Sequence, residues 1–484
     1  MKKIIIVGGG IAGLSAAYYT HQKTIYPVSI TLLEAGSAWG GKITTDRVNS
    51  VVPEGTFVIE GGPDTFIVTK PWAVKLCQEL GIAERLRGTN PEIKKTYILK
   101  NGTLHELPGG LTMMIPTEFG SMIRTRLLSS LEKARMGMDF LLPRGREARD
   151  ETLGGFVTRR LGRGAYENLI EPLMSGIYAG DGDQLSLQAT FPYLQDLEMK
   201  HGGLVKGALA FRQERAKNGI NTAPGSRSIF LTPLTGLAEI VEALVEKLED
   251  AGVDLKLNVK VESVKRDGVT GKKWFVNLES GETLEADALI LAAPAYVSGD
   301  LLGEETAPAL ADELCAVEYV STATVTLAYR EADLPRPLDG YGYVIPRREG
   351  RKALACTWTS TKFPHRAPEG YALLRVFVGR AGQESEIPWA EARLLEIARE
   401  ELKLTLDITA EPLLTRVYRW EKAMPQYNLG HPERLARIEA ALEALPGLAL
   451  AGNGYRGIGI PDCIHSGELA AERILQTLKE IEPA

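Results

Sequence analysis

The chain opens on an apolar run. Ile4-Ile5-Ile6-Val7 places four β-branched residues in succession, the pattern of a strand buried on both faces of a parallel sheet. Gly8-Gly9-Gly10-Ile11-Ala12-Gly13 follows at once, and Leu14–Tyr19 reads as a helix. Val28–Leu33 then alternates as a second strand and ends at Glu34. Much later, Leu237, Ile240, Val241, Leu244, Val245 and Leu248 recur at helical spacing and predict an amphipathic helix within Thr232–Gly252. Strands are predicted at Val253–Lys256, Val259–Val264, Trp274–Leu278 and Ala288–Ala292, with turns at Asn277–Gly281 and at the glycines 268 and 271. Near the end, Leu448–Gly452 reads as a short buried strand. A glycine-rich turn over Gly457–Cys463 follows it, then a helix from about Ser466 to Leu478.

The remaining stretches differ in pattern. Residues 110–217 read as mostly helical, with Glu167–Gly176 a helical segment and Pro143–Arg149 an exposed loop. Residues 315–378 carry strand patterns, such as Ala323–Ala328 and Leu373–Val378. Helices are predicted near Pro388–Leu402 and Pro432–Leu445. A basic start before an apolar run also suits a secretory signal peptide. The strand–glycine–helix reading is preferred, because cleavage would destroy that unit.

The chemistry of the opening unit is specific. Gly8 permits a tight turn, Gly10 lets the backbone approach a pyrophosphate, and Gly13 lets the helix pack on the strand. The helix N-terminus offers free N–H groups and its positive dipole end to phosphate. Glu34 lies 21 residues after Gly13, where an acid binds ribose hydroxyls. A second glycine pair, Gly40-Gly41, precedes Lys42, and a third glycine site lies in Glu60-Gly61-Gly62-Pro63-Asp64-Thr65. A plain nicotinamide enzyme needs neither, so together they point to the more extended FAD. The terminal helix would favour negative charge on a reduced flavin. Cys463, in the last glycine turn, reads as a small packing residue.

Composition narrows the picture. The 484 residues carry 56 basic and 62 acidic side chains, net −6, which argues against a general nucleic-acid binder. With 44% hydrophobic and 24% charged residues the chain is globular. No apolar run reaches the roughly 18 residues of a membrane span; the longest, near Ala288–Val297, is broken by Pro294. Cys77, Cys315, Cys356 and Cys463 form no CxxC pair, and the six histidines show no metal spacing, so no metal is expected. Sparse cysteine fits a reducing, cytoplasmic setting. Residues 120–149 hold seven basic and three acidic side chains, a local +4 suited to a solvated face, a substrate rim or a membrane contact.

The sequence resembles the oxygen-dependent porphyrinogen oxidases, most closely the Gram-positive type. The matching segments are Gly8–Gly13, Glu34-Ala35, Gly40–Lys42, Gly62–Phe66, Asn168–Asp181, Thr357-Trp358, Met424–Tyr427 and Gly459–Cys463. They run through nearly the whole chain, and Asn168–Asp181 and Gly459–Cys463 are the most specific. The resemblance implies an α/β fold: a Rossmann-like FAD domain, an antiparallel-sheet substrate domain and a helical insertion. The first takes residues 1–69, 226–295 and 446–484, the second 70–109 and 296–445, the third 110–225.

It implies FAD contacts from Gly8, Gly9, Gly10, Ile11, Ala12, Gly13, Glu34, Ala35, Gly41, Lys42, Gly62, Pro63, Asp64, Thr65, Val261, Trp420, Ile458, Gly459 and Ile460. Lys70 would face a substrate propionate and Ile177 would line the macrocycle pocket. The implied reaction is six-electron oxidation of coproporphyrinogen III to coproporphyrin III in haem biosynthesis. It runs in two-electron steps through FAD, with O₂ as acceptor and H₂O₂ as by-product. Relatives use protoporphyrinogen IX, and amine oxidases and desaturases share the flavin domain. Hand-off to a ferrochelatase and peripheral membrane contact also belong to this implied picture. The cofactor carries the hard chemistry, and no catalytic acid or base stands out.

Overall fold

A computed structural model describes residues 1–480, apart from 50, 53, 54, 113, 146–148, 218–227, 268–270, 272, 387 and 388. Gly268, Pro388 and the basic-stretch residues Arg146 and Glu147 lie outside the described residues. The first strand, Lys2–Val7, is the middle of a five-stranded parallel sheet. It pairs on one side with Val28–Leu33, which pairs in turn with Asp254–Lys256. On the other side it pairs with Ala288–Leu291, which pairs with Leu448–Leu450. The sheet is thus sewn from three distant stretches of chain, and its apolar runs are buried because helices or strands cover both faces.

One face packs against the helices Ile11–Lys23, Ala238–Asp250 and Ile460–Glu480. The other carries a three-stranded antiparallel layer over Val261–Arg266, Trp274–Leu278 and Thr283–Ala286. The helices Ala295–Thr306, Pro308–Cys315 and His431–Glu443 bury Leu301, Leu310, Leu314, Leu435 and Ile438 in this same core. Apart from Ala295 these segments lie in the 296–445 range, yet they pack on the nucleotide layer through the apolar residues they bury there.

That second sheet has seven strands, in the order Leu414–Pro425, Tyr319–Arg330, Tyr371–Val378, Ala353–Trp358, Gly342–Val344, Tyr97–Lys100 and Thr103–Glu106. All pairings are antiparallel except Gly342–Val344 with Tyr97–Lys100, so the sheet is mixed at that point. Glu391–Leu406 covers one of its faces through Leu394, Ile397 and Leu402. The helical part, with a short hairpin at Leu111–Thr112 and Ile115–Pro116, surrounds an apolar cluster including Phe156, Leu169, Met174 and Leu194. At its centre Arg160 and Asp139, both fully buried, form an ion pair at 2.6 Å.

Several boundaries differ from the sequence reading. The last helix starts at Ile460, not near Ser466. Pro461 causes no break there, because a proline in the first turn forfeits only a hydrogen bond the helix lacks anyway. The helix within Thr232–Gly252 starts only at Ala238, because Phe230–Pro233 is a strand and Gly236, at φ +109°, makes the turn. Glu167–Gly176 is not one regular helix: Tyr166–Ile170 forms a π-turn and Glu171–Tyr178 an α-helix. Pro172 supplies the reason, since it has no N–H to return to the carbonyl one turn back.

Candidate active site

The glycines of the fingerprint do different work. At Gly13 an added Cβ would stand 1.9 Å from the Gly8 carbonyl oxygen, so only glycine lets the first helix lie on the strand. At Gly8, φ is +111° and a Cβ would meet the Ala292 carbonyl at 2.8 Å. Gly10 is different: a Cβ there meets nothing within 4 Å. It is the N-cap of Ile11–Lys23 and provides no side-chain cap. With no side-chain cap and open space at Gly10, the N-terminus of that helix leaves room for an anion. Ile11 and Ala12 are buried beside it.

Glu34 ends the second strand and clamps the turn. One carboxylate oxygen accepts from Gly9 N–H and the other from Gly36 N–H, each at 2.6 Å. Ala35 is exposed at this edge. The second doublet docks on the fingerprint through the bond from Gly40 N–H to the Gly9 carbonyl at 2.9 Å. Lys42 follows. Burial pushes its ammonium pKa down, and among the described residues no carboxylate pairs with it. A half-buried cation without a carboxylate partner, one residue after Gly41, whose added Cβ would lie 3.2 Å from the Gly10 Cα, suits an anionic dinucleotide.

The third glycine site is held from the large sheet. Trp420 Nε1–H and the Thr324 hydroxyl donate to the Gly61 carbonyl at 2.9 and 2.8 Å. Arg375, 2% exposed, donates to the carbonyls of Gly61 and Gly62. A Cβ at Gly62 would lie 1.9 Å from the Lys42 carbonyl, so this loop and the second doublet touch. Asp64 pairs with Lys362 at 3.3 Å. Burial raises its pKa, but Lys362, Arg375 and Arg366 together hold it below the usual carboxylate range. Neighbouring Glu60 pairs with Arg366 at 2.8 Å, yet burial dominates and pushes its pKa up. Pro63 and Thr65 are half-buried in the same loop.

The terminal turn closes the arrangement. The Tyr427 hydroxyl donates to the Asn453 carbonyl at 2.5 Å and accepts from Gly457 N–H at 2.9 Å. His431 stacks on Tyr427 with centroids 4.3 Å apart and lies 2.9 Å from the Tyr455 carbonyl. Ile460 is buried in the nucleotide core, whereas Ile458 packs against the helical part. Cys463 is buried, and burial pushes its thiol up to about 12. It stays protonated, in keeping with a packing role. Val261 is buried in the antiparallel layer, opposite Leu278.

Lys70 does not stand free. Its ammonium reaches both oxygens of Asp462, at 2.6 and 2.7 Å. Ile177 is 46% exposed at the end of Glu171–Tyr178. Its neighbour Tyr178 packs edge-to-face on Tyr427, which joins the helical part to the terminal turn. The basic stretch is partly committed elsewhere. Lys133 donates to the Ile123 and Thr125 carbonyls, and Arg135 to those of Arg159 and Arg160. Arg124, Arg126 and Arg144 are exposed.

Sequence reasoning missed Thr324, Arg375 and Arg366, and gave no role to Tyr427 and Asp462 although both lie in the matching segments Met424–Tyr427 and Gly459–Cys463. Arg375 carried a signal: a charged residue inside the apolar run Leu373–Val378 demands a buried partner.

The family described as flavin containing amine oxidoreductase matches residues 11–475. Coproporphyrinogen III oxidase of Bacillus subtilis is 38% identical over 481 residues, covering 99% of this chain and 98% of the relative. The enzyme of the same name from Staphylococcus aureus is 33% identical over 480 residues, covering 99% and 100%. A crystal structure of an Exiguobacterium protein, assigned provisionally to protoporphyrinogen oxidase, superposes with a TM-score of 0.84 at 33% identity, covering 98% of this chain and 99% of that one.

Proposed function

Because the chain belongs to the flavin containing amine oxidoreductases and takes FAD as its cofactor, we propose that it oxidises coproporphyrinogen III to coproporphyrin III. The observation that carries this reading is near end-to-end likeness to two bacterial enzymes of that name. Protoporphyrinogen IX is the second reading, favoured by the name of the structural relative. FAD, when bound, supplies the two-electron acceptor that is reoxidised by O₂.

The protein's own residues hold and orient. Gly8–Gly13 and the N-terminus of Ile11–Lys23 receive the pyrophosphate, Glu34 and Ala35 the ribose, and Lys42 the phosphate or flavin charge. Gly41, Gly62–Thr65, Trp420 and Ile458–Ile460 frame the flavin, with Val261 on the adenine side. The positive end of the closing helix stabilises negative charge on the ring. Lys70 holds a propionate and Ile177 lines the macrocycle pocket. We assign residues 1–69, 226–295 and 446–484 to the FAD domain, 70–109 and 296–445 to the substrate domain and 110–225 to the helical domain, except that the helices Ala295–Thr306, Pro308–Cys315 and His431–Glu443 belong with the FAD domain whose core they share.

The protein works in the cytoplasm and passes its product to a ferrochelatase. Exposed Ile123, Leu131 and Leu141, at 73%, 83% and 82%, lie along the chain among Arg124, Arg126 and Arg144 and suit peripheral contact with an anionic membrane. Among the described residues no helix is long and apolar enough to cross one. The reading is tested by mixing FAD-loaded protein with coproporphyrinogen III without oxygen. Bleaching of the flavin absorption supports it. An unchanged spectrum with both porphyrinogens rejects it.

A further inference from the structure

The ion pair between Lys70 and Asp462 has unequal partners. Asp462 is fixed: its side chain is 9% exposed, and it sits in the first turns of the closing helix, which starts at Ile460. It also lies against the glycine turn. A Cβ at Gly457 would stand 2.4 Å from the Asp462 Cγ, and one at Gly459 3.0 Å from its Oδ2. Lys70 is the open member, 40% exposed, and approaches from a half-buried position just before Pro71 and the helix Trp72–Glu79. Its ammonium has three protons. Both Asp462 oxygens lie within hydrogen-bond distance, yet the lysine keeps an exposed side.

We propose that Asp462 is the fixed counter-charge of Lys70 and weakens the grip of Lys70 on a substrate carboxylate. The inference rests on the proposed porphyrinogen reading. A carboxylate arriving at Lys70 meets an ammonium already shared with an immobile carboxylate. It therefore binds by bridging, not by replacing Asp462. The propionates do not change during ring oxidation, so Lys70 holds substrate and product alike. Such uniform binding lowers KM without raising kcat. A counter-charge that moderates it favours product release.

The test is Asp462→Asn in the FAD-loaded protein, which keeps an acceptor for Lys70 and removes the charge. Coproporphyrin III is titrated against each variant by fluorescence quenching, at low and high salt, with FAD content and Tm as controls. The expected result is binding about threefold tighter at low salt, the scale of a partly exposed ion pair, and a steeper loss of affinity with salt. Lys70→Gln alone weakens binding. In Lys70→Gln/Asp462→Asn the gain from removing Asp462 vanishes, since it acts through the ammonium. Unchanged or weaker binding in Asp462→Asn, with normal FAD content, overturns the proposal. So does a gain that persists in the double variant. If the unmodified protein oxidises neither porphyrinogen, the substrate reading fails instead, which the wild-type assay reports separately.

Discussion

Replacing Gly10 by valine separates cofactor binding from folding. A Cβ at Gly10 meets nothing within 4 Å, so the side chain projects into open space at the N-terminus of Ile11–Lys23. The fold itself has no reason to notice it. The pyrophosphate does, because it must approach the backbone at that place. Binding of FAD at a hundredfold excess over its Kd stabilises the protein by about 2.7 kcal/mol. Gly10→Val removes that gain and leaves the FAD-free protein at the same Tm as wild type. Gly13→Ala is the contrast, because its Cβ would lie 1.9 Å from the Gly8 carbonyl oxygen. Relief requires a backbone shift of the helix against the sheet, at about 1–3 kcal/mol or more. The assay is thermal unfolding of cofactor-stripped protein with and without added FAD, read beside the flavin absorption. If Gly10→Val retains stoichiometric FAD and the wild-type FAD-dependent rise in Tm, the assignment of this turn is refuted.

Asp139→Ala removes the nearer carboxylate of the fully buried Arg160, which keeps Glu198 at 3.4 Å, and leaves the Val205 N–H without its acceptor; the expected cost is about 1.5–3 kcal/mol, measured by urea unfolding, and a loss below about 1 kcal/mol counts against a paired core. Burial, with Arg366 and Arg87 nearby, pulls the His365 imidazole down to about 4. The unfolded chain takes up that proton near pH 6.5 and the folded chain only near 4, so stability falls as pH drops through that window. His365→Gln flattens this part of the Tm-versus-pH curve, and a curve of unchanged slope excludes His365 as the source. Lys70→Ala raises KM for coproporphyrinogen III more than for protoporphyrinogen IX, because more carboxylates must be held; equal effects on both contradict a propionate contact.

The strand, glycine turn, helix and Glu34 could be read directly because each obeys a local rule. Ile4–Val7 has no polar residue to expose, and Gly13 stands where any side chain would strike Gly8. Local rules stop where partners come from afar. Gly61 is held by Thr324, Arg375 and Trp420, residues that reach it only after the seven-stranded sheet has assembled. The π-turn before Pro172 follows from one missing N–H, which a helical period alone does not reveal. Lys70 stands out only through the family resemblance, which is silent on its pairing with Asp462, 392 positions away. The packing of Ala295–Cys315 on the nucleotide core depends on which sheet its apolar stripe matches, and periodicity is silent on that.

Steady-state turnover tests porphyrinogen oxidation by this FAD protein most directly. Coproporphyrinogen III and protoporphyrinogen IX are supplied in turn to the FAD-loaded protein under air, with porphyrin fluorescence and H₂O₂ followed together. The predicted result is an oxygen-dependent fluorescence gain with coproporphyrinogen III at the higher kcat/KM. H₂O₂ should form in proportion, and nothing should form without oxygen. Full FAD occupancy with no gain on either porphyrinogen would contradict the account.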